Sequence, residues 1–201
     1  MQPVQRLLPA LALALLSASA LATTTTYDSS ASFLTQVASG SYLESFDGWA
    51  TNPPPGAVAF SGGAFSYSAF APSDIYLAGG FLGTSQIDEA LTITFTSGNV
   101  TAVGANFYAT DINDAFQNVS VTVTLSDGTV STFTPASLAD SYRGFVSTVA
   151  ISSLVISGPG QSLYAGLDNL TVGVSAVPEP ASWALMALGL AGLAISRRRE
   201  A

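Results

Sequence analysis

A change of hydrophobic period at Gly40 sets the strongest limit on the fold. From there to about residue 176 the chain consists of short alternating or β-branched runs, such as "LTITFTSG", "VSVTVTL" and "AGLDNLTVGV". Turn residues separate the runs, as at Gly62-Gly63 and Ser97-Gly98-Asn99, and Asp127-Gly128 predicts a tight hairpin. Roughly eight or more short strands with almost no helix predict an all-β fold, a jelly-roll-like antiparallel β-sandwich.

The segment before Gly40 has a different pattern. Residues 23–26 and their Thr- and Ser-rich neighbours predict a short exposed lead-in. The following "SSASFLTQVAS" predicts one short helix with Ser29 or Ser30 as its N-cap. The apolar face of that helix would carry Phe33, Leu34 and Val37.

The composition of the chain excludes several classes of function. The 201 residues contain no cysteine and no histidine, which excludes disulfides, thiolate nucleophiles, thiolate or imidazole zinc sites and His-based triads. Between residues 23 and 176, eleven acidic residues stand against the single basic residue Arg143. Nucleic acid is therefore excluded as a partner, because its binding depends on Lys and Arg.

The N-terminal residues predict export. Arg6 precedes the apolar run Leu7–Leu16, and Ala20-Leu21-Ala22 fits the small-x-small rule of signal peptidase. The run is too short for an ordinary membrane-spanning helix. Residues 1–22 are therefore interpreted as a signal peptide, with an uncleaved anchor or a buried helix as the alternatives.

The C-terminal residues 177–201 combine three parts. Two prolines in "VPEP" delay any helix until about residue 181, and residues 181–196 carry no charge. Three arginines follow, and arginines kept in the cytoplasm would place the body outside. The apolar run is shorter than the ~20 residues that a comfortable span requires, which suits a transmembrane helix held briefly and then cut.

This tail resembles the PEP-CTERM sorting signal of Gram-negative exported proteins. The residues that carry the resemblance are Val177, Pro178, Glu179, Pro180, Arg197, Arg198 and Arg199. The resemblance implies handling by exosortase, a membrane-embedded transpeptidase-like protease, in cells that make exopolysaccharide and biofilm matrix. The resulting scheme is a signal peptide at 1–22, an extracellular domain at 23–176 and a sorting signal at 177–201.

Two acidic segments near the ends of the body resemble those of jelly-roll carbohydrate-binding modules. They are "ESFDG", with Glu44 and Asp47, and "GLDNLTVG", with Asp168 and Asn169. The resemblance implies a structural Ca²⁺ bound by oxygens of the first and last strands, which would replace a missing disulfide. The alternative is that these side chains are solvated or bond backbone groups in turns.

A second acidic cluster lies in "ATDINDAFQN". Asp111 and Asp114, with Asp88-Glu89 upstream, provide the paired carboxylates that glycoside hydrolysis uses. A loop rich in Asn and Asp is more often a turn, and it could equally bind a cation.

Aromatic residues could form a platform for sugar rings, since they offer a large apolar face. Trp49, in the loop after Asp47-Gly48, is the best candidate, although alternating aromatics more often belong to a core. The other candidates are Tyr67, Phe70, Tyr76, Tyr108 and Phe116.

These patterns predict a non-enzymatic protein of the cell surface or exopolysaccharide matrix. It would cross the inner membrane, stay anchored by the C-terminal helix until exosortase acts, and serve a structural or adhesive role. Glycan or Ca²⁺ binding is one form of that role, and a purely structural coat protein without a ligand is another. The alternative is a carboxylate-dependent glycan hydrolase or lyase. In that case Arg143 would be the one cation available, although a salt bridge to Asp140 is its simpler role.

Overall fold

Fourteen strands, one short helix and one 3-10 turn make up the regular structure of residues 23–176, which the computed structural model describes. The helix α1 is Ser30–Leu34 and the 3-10 turn is Leu138–Asp140. The strands in chain order are β1 (Thr24–Tyr27), β2 (Tyr42–Glu44), β3 (Val58–Gly62), β4 (Phe65–Phe70), β5 (Ile75–Tyr76), β6 (Leu82–Thr84), β7 (Leu91–Phe95), β8 (Ala102–Thr110), β9 (Phe116–Gln117), β10 (Val121–Leu125), β11 (Val130–Phe133), β12 (Tyr142–Ser147), β13 (Ser153–Ile156) and β14 (Tyr164–Gly173).

These strands form two antiparallel sheets. The first sheet has the order β1-β12-β8-β14-β6-β5, with β2 also paired to β14 and β9 to β8. The second has the order β11-β10-β13-β7-β4-β3. The prediction of an all-β body with little helix is therefore confirmed.

One core lies between the two sheets. Alternation directs every second side chain to the same face of a strand. The second sheet contributes Tyr67 and Ile93, and the first contributes Phe107 and Leu167, all to a single buried cluster. The sheets therefore pack face to face as a β-sandwich.

The N-terminal segment packs on the outer face of the first sheet. Ser29 caps α1 by accepting from the Ser32 N–H, as predicted. The ring of Phe33 is fully buried against Gly144, where a Cβ atom would lie 2.5 Å from it. Leu34 is 47% exposed, so its predicted place on a buried face is wrong. The helix ends at Leu34, so Val37, the third residue predicted on its apolar face, lies beyond the helix.

The chain before α1 is a strand, not a lead-in. Thr24–Tyr27 pairs with β12, from Thr24 opposite Ser147 to Tyr27 opposite Gly144. Thr25 and Thr26 are exposed, as predicted, but the segment is a paired strand, because the edge of β12 supplies hydrogen-bond partners that local sequence does not reveal.

The hairpin predicted at Asp127-Gly128 is confirmed. It joins β10 to β11, and Gly128 adopts a φ of 88° that favours glycine. The Asp127 carboxylate accepts from the Thr24 and Ser147 hydroxyls of the first sheet. Burial alone would raise the pKa of Asp127, but these bonds and that from Thr129 N–H outweigh it and lower the pKa.

Both ends of the described chain lie at the same end of the first sheet. Thr24 pairs with Ser147 on β12, β12 pairs with β8 beside Ala102, and Ala102 pairs with Gly173 on β14. Neighbouring strands are separated by ~4.8 Å, so β1 and β14 are about 14 Å apart. We call this end, defined by Thr24, Ser147, Ala102 and Gly173, the terminal end.

The predicted signal peptide at 1–22 and sorting signal at 177–201, with its helix at 181–196, lie outside the described residues. Within residues 23–176, no helix is long and apolar enough to cross a membrane.

Candidate functional site

A cleft of about 220 Å³ lies at the end of the first sheet opposite the terminal end. Here β8 finishes and β14 begins, with Thr110 paired to Tyr164. We call this region the cleft end. The cleft is lined by Asn52, Tyr76, Phe81, Thr84, Ser85, Thr110, Asp111, Ile112, Asp114 and Tyr164.

Tyr76 and Phe81, two members of an aromatic row that continues to the buried Tyr108, line one wall of the cleft. The ring of Phe81 packs between Tyr76 and Tyr108, with centroid distances of 5.4 and 5.8 Å. Glycines let this ring lie flat on the sheet, since a Cβ at Gly83 would be 3.0 Å from it and one at Gly166 would be 3.3 Å away. The row therefore depends on both glycines.

The loop after β8 carries the two acidic side chains of the cleft. Both oxygens of Asp111 are used within the loop: Oδ1 accepts from the Asn113 and Ala115 N–H groups, and Oδ2 accepts from the Gln117 side chain. Asp111 is thus a turn-forming residue, as one reading of the sequence anticipated.

Asp114 has a different environment. Its φ of 62° is one that Asn and Asp tolerate, and its N–H donates to the Asp111 carbonyl. Oδ2 accepts a hydrogen bond of 2.6 Å from the Tyr76 hydroxyl, and this bond is the main reason that the pKa of Tyr76 is raised. In the described part of the chain, Oδ1 has no hydrogen-bond partner.

Asn52 holds the chain that precedes β3 against this wall. Its Oδ1 accepts from the Leu77 and Ala78 N–H groups, at 2.8 and 3.1 Å. Asn52 and the half-buried Tyr164 complete a cleft in which aromatic faces meet polar groups.

No basic side chain is among the described residues that line the cleft. Arg143, the single basic residue among residues 23–176, lies outside the cleft and donates to the main-chain oxygens of Asp140 and Tyr142. Its guanidinium lies 3.8 Å from the centre of the Phe133 ring, where it links the two sheets. The contact with Asp140 therefore uses the backbone.

The segments predicted to bind calcium lie side by side. Glu44 on β2 pairs with Leu170 on β14. The two Glu44 oxygens accept from the Tyr42 hydroxyl and the Phe46 N–H. Glu44 therefore stabilises the turn after β2, which is the alternative role proposed from the sequence.

Asp168 and Asn169 occupy an irregularity in β14, between Asp168 and Thr171. The pKa of Asp168 is raised overall: burial raises it most, the hydrogen bond from the Asn169 N–H lowers it in part, and the nearby Asp47 adds to the increase. Residues 23–176 contain no group of three His, Cys, Asp or Glu side chains that could hold a metal ion. The calcium site stays a prediction.

The structure distributes the predicted aromatic platform over several places. Trp49 packs on Phe60 with a centroid distance of 5.7 Å and borders a hollow beside Pro53–Pro55. Tyr67 is buried in the core, and Tyr76 lines the cleft.

Sequence reasoning missed Phe81 and other cleft residues. The glycines on both sides of Phe81 were the available signal, since they leave room for a ring on the sheet.

The missed residues that line the cleft include Asn52, Phe81, Ile112 and Tyr164.

Residues 176–199 match the family described as the PEP-CTERM protein-sorting motif. This match confirms the resemblance of Val177–Pro180 and Arg197–Arg199, which lie outside the described residues. The motif implies export, processing by exosortase and a cell-surface or extracellular fate. Neither a curated protein nor a solved structure matches the chain. The likeness of the body to carbohydrate-binding modules therefore stays a prediction.

Proposed function

We propose that this protein is a glycan-binding, non-enzymatic component of the cell surface or exopolysaccharide matrix. The observation that carries the proposal is the position of the cleft relative to the sorting motif. The last described residue, Ala176, where the matched motif begins, lies at the terminal end, whereas the cleft opens at the opposite end of the same strands.

Strand β14 connects these two features directly. Tyr164 at its start lines the cleft, and Gly173 at its end lies three residues before the matched motif begins. Nine residue steps of strand separate them by about 30 Å. A sandwich tethered through its tail would therefore hold the cleft away from its attachment point, where extracellular polymer is accessible.

The chemistry of the cleft suits a sugar. Sugar rings present apolar C–H faces and a rim of hydroxyl groups, so they bind where aromatic surface meets hydrogen-bonding groups. Tyr76 and Tyr164 are half-buried and offer ring surface, while Asn52 and Asp114 offer polar atoms.

The state of the carboxylates supports binding over hydrolysis. A glycosidase needs two carboxylates free to act on the scissile bond. Asp111 uses both oxygens in its own loop, and Glu89 uses both to accept from the Ser73 N–H and hydroxyl. Only Asp114 combines a place in the cleft with an oxygen that has no partner in the described structure.

Affinity electrophoresis through gels that contain the host's own exopolysaccharide tests the proposal. The protein purified from its host should be retarded, and Tyr164→Ala should weaken binding about two- to tenfold, as expected for the loss of one aromatic contact. Phe70→Ala is the matched control, since Phe70 is 46% exposed on the second sheet, away from the cleft. Equal weakening by both substitutions, or no retardation of the unmodified protein, would refute the proposal.

A structural Ca²⁺ between β2 and β14 is a separate proposal. Its support is the adjacency of the two strands and the contribution of Asp47, after burial, to the raised pKa of Asp168. Chelator should then lower Tm and added Ca²⁺ should restore it; an unchanged Tm would refute this site.

A further inference from the structure

We propose that the cleft selects sugars that carry a free amino group over sugars that carry a carboxylate, with Asp114 as the group that receives the ammonium. The inference rests on the proposed function, since it names the class of glycan that the cleft takes. Its basis is the charge of the cleft and the position of the Asp114 carboxylate.

The charge around the cleft has one sign. Asp111 and Asp114 both line it, and the described lining residues include no base. A third acid, Asp168, lies on the far side of the aromatic row, two residues beyond Gly166 on β14, and both Asp168 and Asp114 contribute, after burial, to the raised pKa of Tyr108. The ring surface is therefore flanked by negative charge on both sides, and a uronic acid would meet repulsion without a compensating cation.

Asp114 is positioned to bind a cation. The Tyr76 hydroxyl fixes Oδ2 at 2.6 Å, and a Cβ at Gly79 would lie 3.1 Å from the same oxygen. Oδ1 has no partner among the described residues, in contrast to the fully bonded Asp111. An ammonium group at Oδ1 would form a charge-assisted hydrogen bond next to the Tyr76 hydroxyl.

Residues 23–176 offer no free cation that could recognise an anionic sugar at this place. The sequence has no lysine among its five basic residues, which are Arg6, Arg143, Arg197, Arg198 and Arg199. Arg143 is engaged with backbone oxygens and Phe133. A neutral N-acetylated sugar could use the aromatic row, but it would lack the ionic contact.

The test compares three probes of equal length: oligomers of glucosamine, of N-acetylglucosamine and of galacturonic acid. Binding to the purified full chain is measured by calorimetry at a pH where the glucosamine amine is protonated. The glucosamine oligomer should bind about tenfold more tightly than the acetylated one, as expected for a hydrogen bond between charged groups. The galacturonic acid oligomer should bind least.

Two variants separate a local effect from the overall charge. Asp114→Asn removes the charge, keeps an acceptor for Tyr76 and tolerates the φ of 62°. Asp28→Asn removes the same charge from an exposed residue next to β1, at the other edge of the sheet from β5. Asp114→Asn should abolish the tenfold preference, while Asp28→Asn should leave that preference intact.

The outcomes distinguish this inference from the proposed function. Equal binding of the amino and acetylated oligomers, or a preference that Asp114→Asn leaves intact, would overturn the inference and leave a glycan-binding cleft. Failure of all three probes and of the host polysaccharide would overturn both.

Discussion

The sandwich should slow its own sorting, because residues 174–176, where the matched motif begins, are paired with the body. Three hydrogen bonds hold their backbone: Ala38 N–H to the Val174 carbonyl at 2.8 Å, Ser175 N–H to Thr101 Oγ1 at 2.7 Å, and Ala176 N–H to the Gln36 carbonyl at 2.7 Å. A peptide bound in extended form pairs its backbone with the protein that receives it. Exosortase would therefore compete with the sandwich for these residues.

The size of the effect follows from these three bonds. At ~0.5–1.5 kcal/mol for each bond, releasing all three costs about 1.5–4.5 kcal/mol. A six-residue Gly-Ser spacer between Ala176 and Val177 gives the protease unpaired chain without that cost. Processing should then accelerate by about ten- to a thousandfold, at 1.4 kcal/mol for each factor of ten.

Pulse-chase labelling in the native host, with the precursor and mature forms resolved by mass, measures this rate. The same six residues inserted after Gly98, in an exposed turn, provide the control for added length. Thr101→Val removes two hydrogen bonds to Ser175, one to its N–H and one to its hydroxyl, and should accelerate processing about five- to a hundredfold. An unchanged rate for both the spacer and Thr101→Val would refute the competition.

Three further predictions concern stability. Asp127→Asn should lower Tm by several degrees at pH 7, because the lowered pKa of Asp127 means that its carboxylate stabilises the fold above the ordinary pKa of ~3.9. The difference in Tm between the variant and the unmodified protein should disappear as the pH falls and the carboxylate is protonated. A difference in Tm that does not change with pH would contradict this. Asp168→Asn should raise Tm at pH 7 but not at about pH 3, because burial makes the ionised form of Asp168 unfavourable in the folded protein. If the variant instead has a lower Tm than the unmodified protein in the presence of Ca²⁺, Asp168 is a metal ligand. Gly144→Ala should lower the free energy of unfolding by about 1–3 kcal/mol, because the new methyl group meets the Phe33 ring. Gly48→Ala should change the stability little, because the space around Gly48 is open. Equal Tm values for the two variants, measured by circular dichroism, would contradict the packing argument.

Local patterns predicted the parts of the fold that depend on neighbours in sequence. Asp127-Gly128 specifies its hairpin because the turn and both strands are contiguous, and Ser29 caps α1 three residues before its bonding partner. Alternation likewise predicts which side chains point inward, and hence a core shared by two sheets.

Pairings between distant segments account for what was missed. β1 is a strand because the edge of β12, more than a hundred residues later, accepts it. The cleft combines Asn52, Phe81, Asp114 and Tyr164, which lie on four separate segments and meet only through sheet order. Asp111 and Asp114 look equivalent in sequence, and only the loop conformation shows that one is fully bonded and the other has a free oxygen.

The central claim is that the tail holds the terminal end towards the cell and leaves the cleft end outward. The absence of cysteine allows a direct test with single substitutions, Ile112→Cys at the cleft end and Val149→Cys near the terminal end. Ile112 is 77% exposed and Val149 is 39% exposed, so a membrane-impermeant maleimide should label both in the purified protein. On intact cells that retain the protein, the account predicts rapid labelling at position 112 and protection at position 149. Equal labelling at the two positions, or protection at 112 alone, would contradict it.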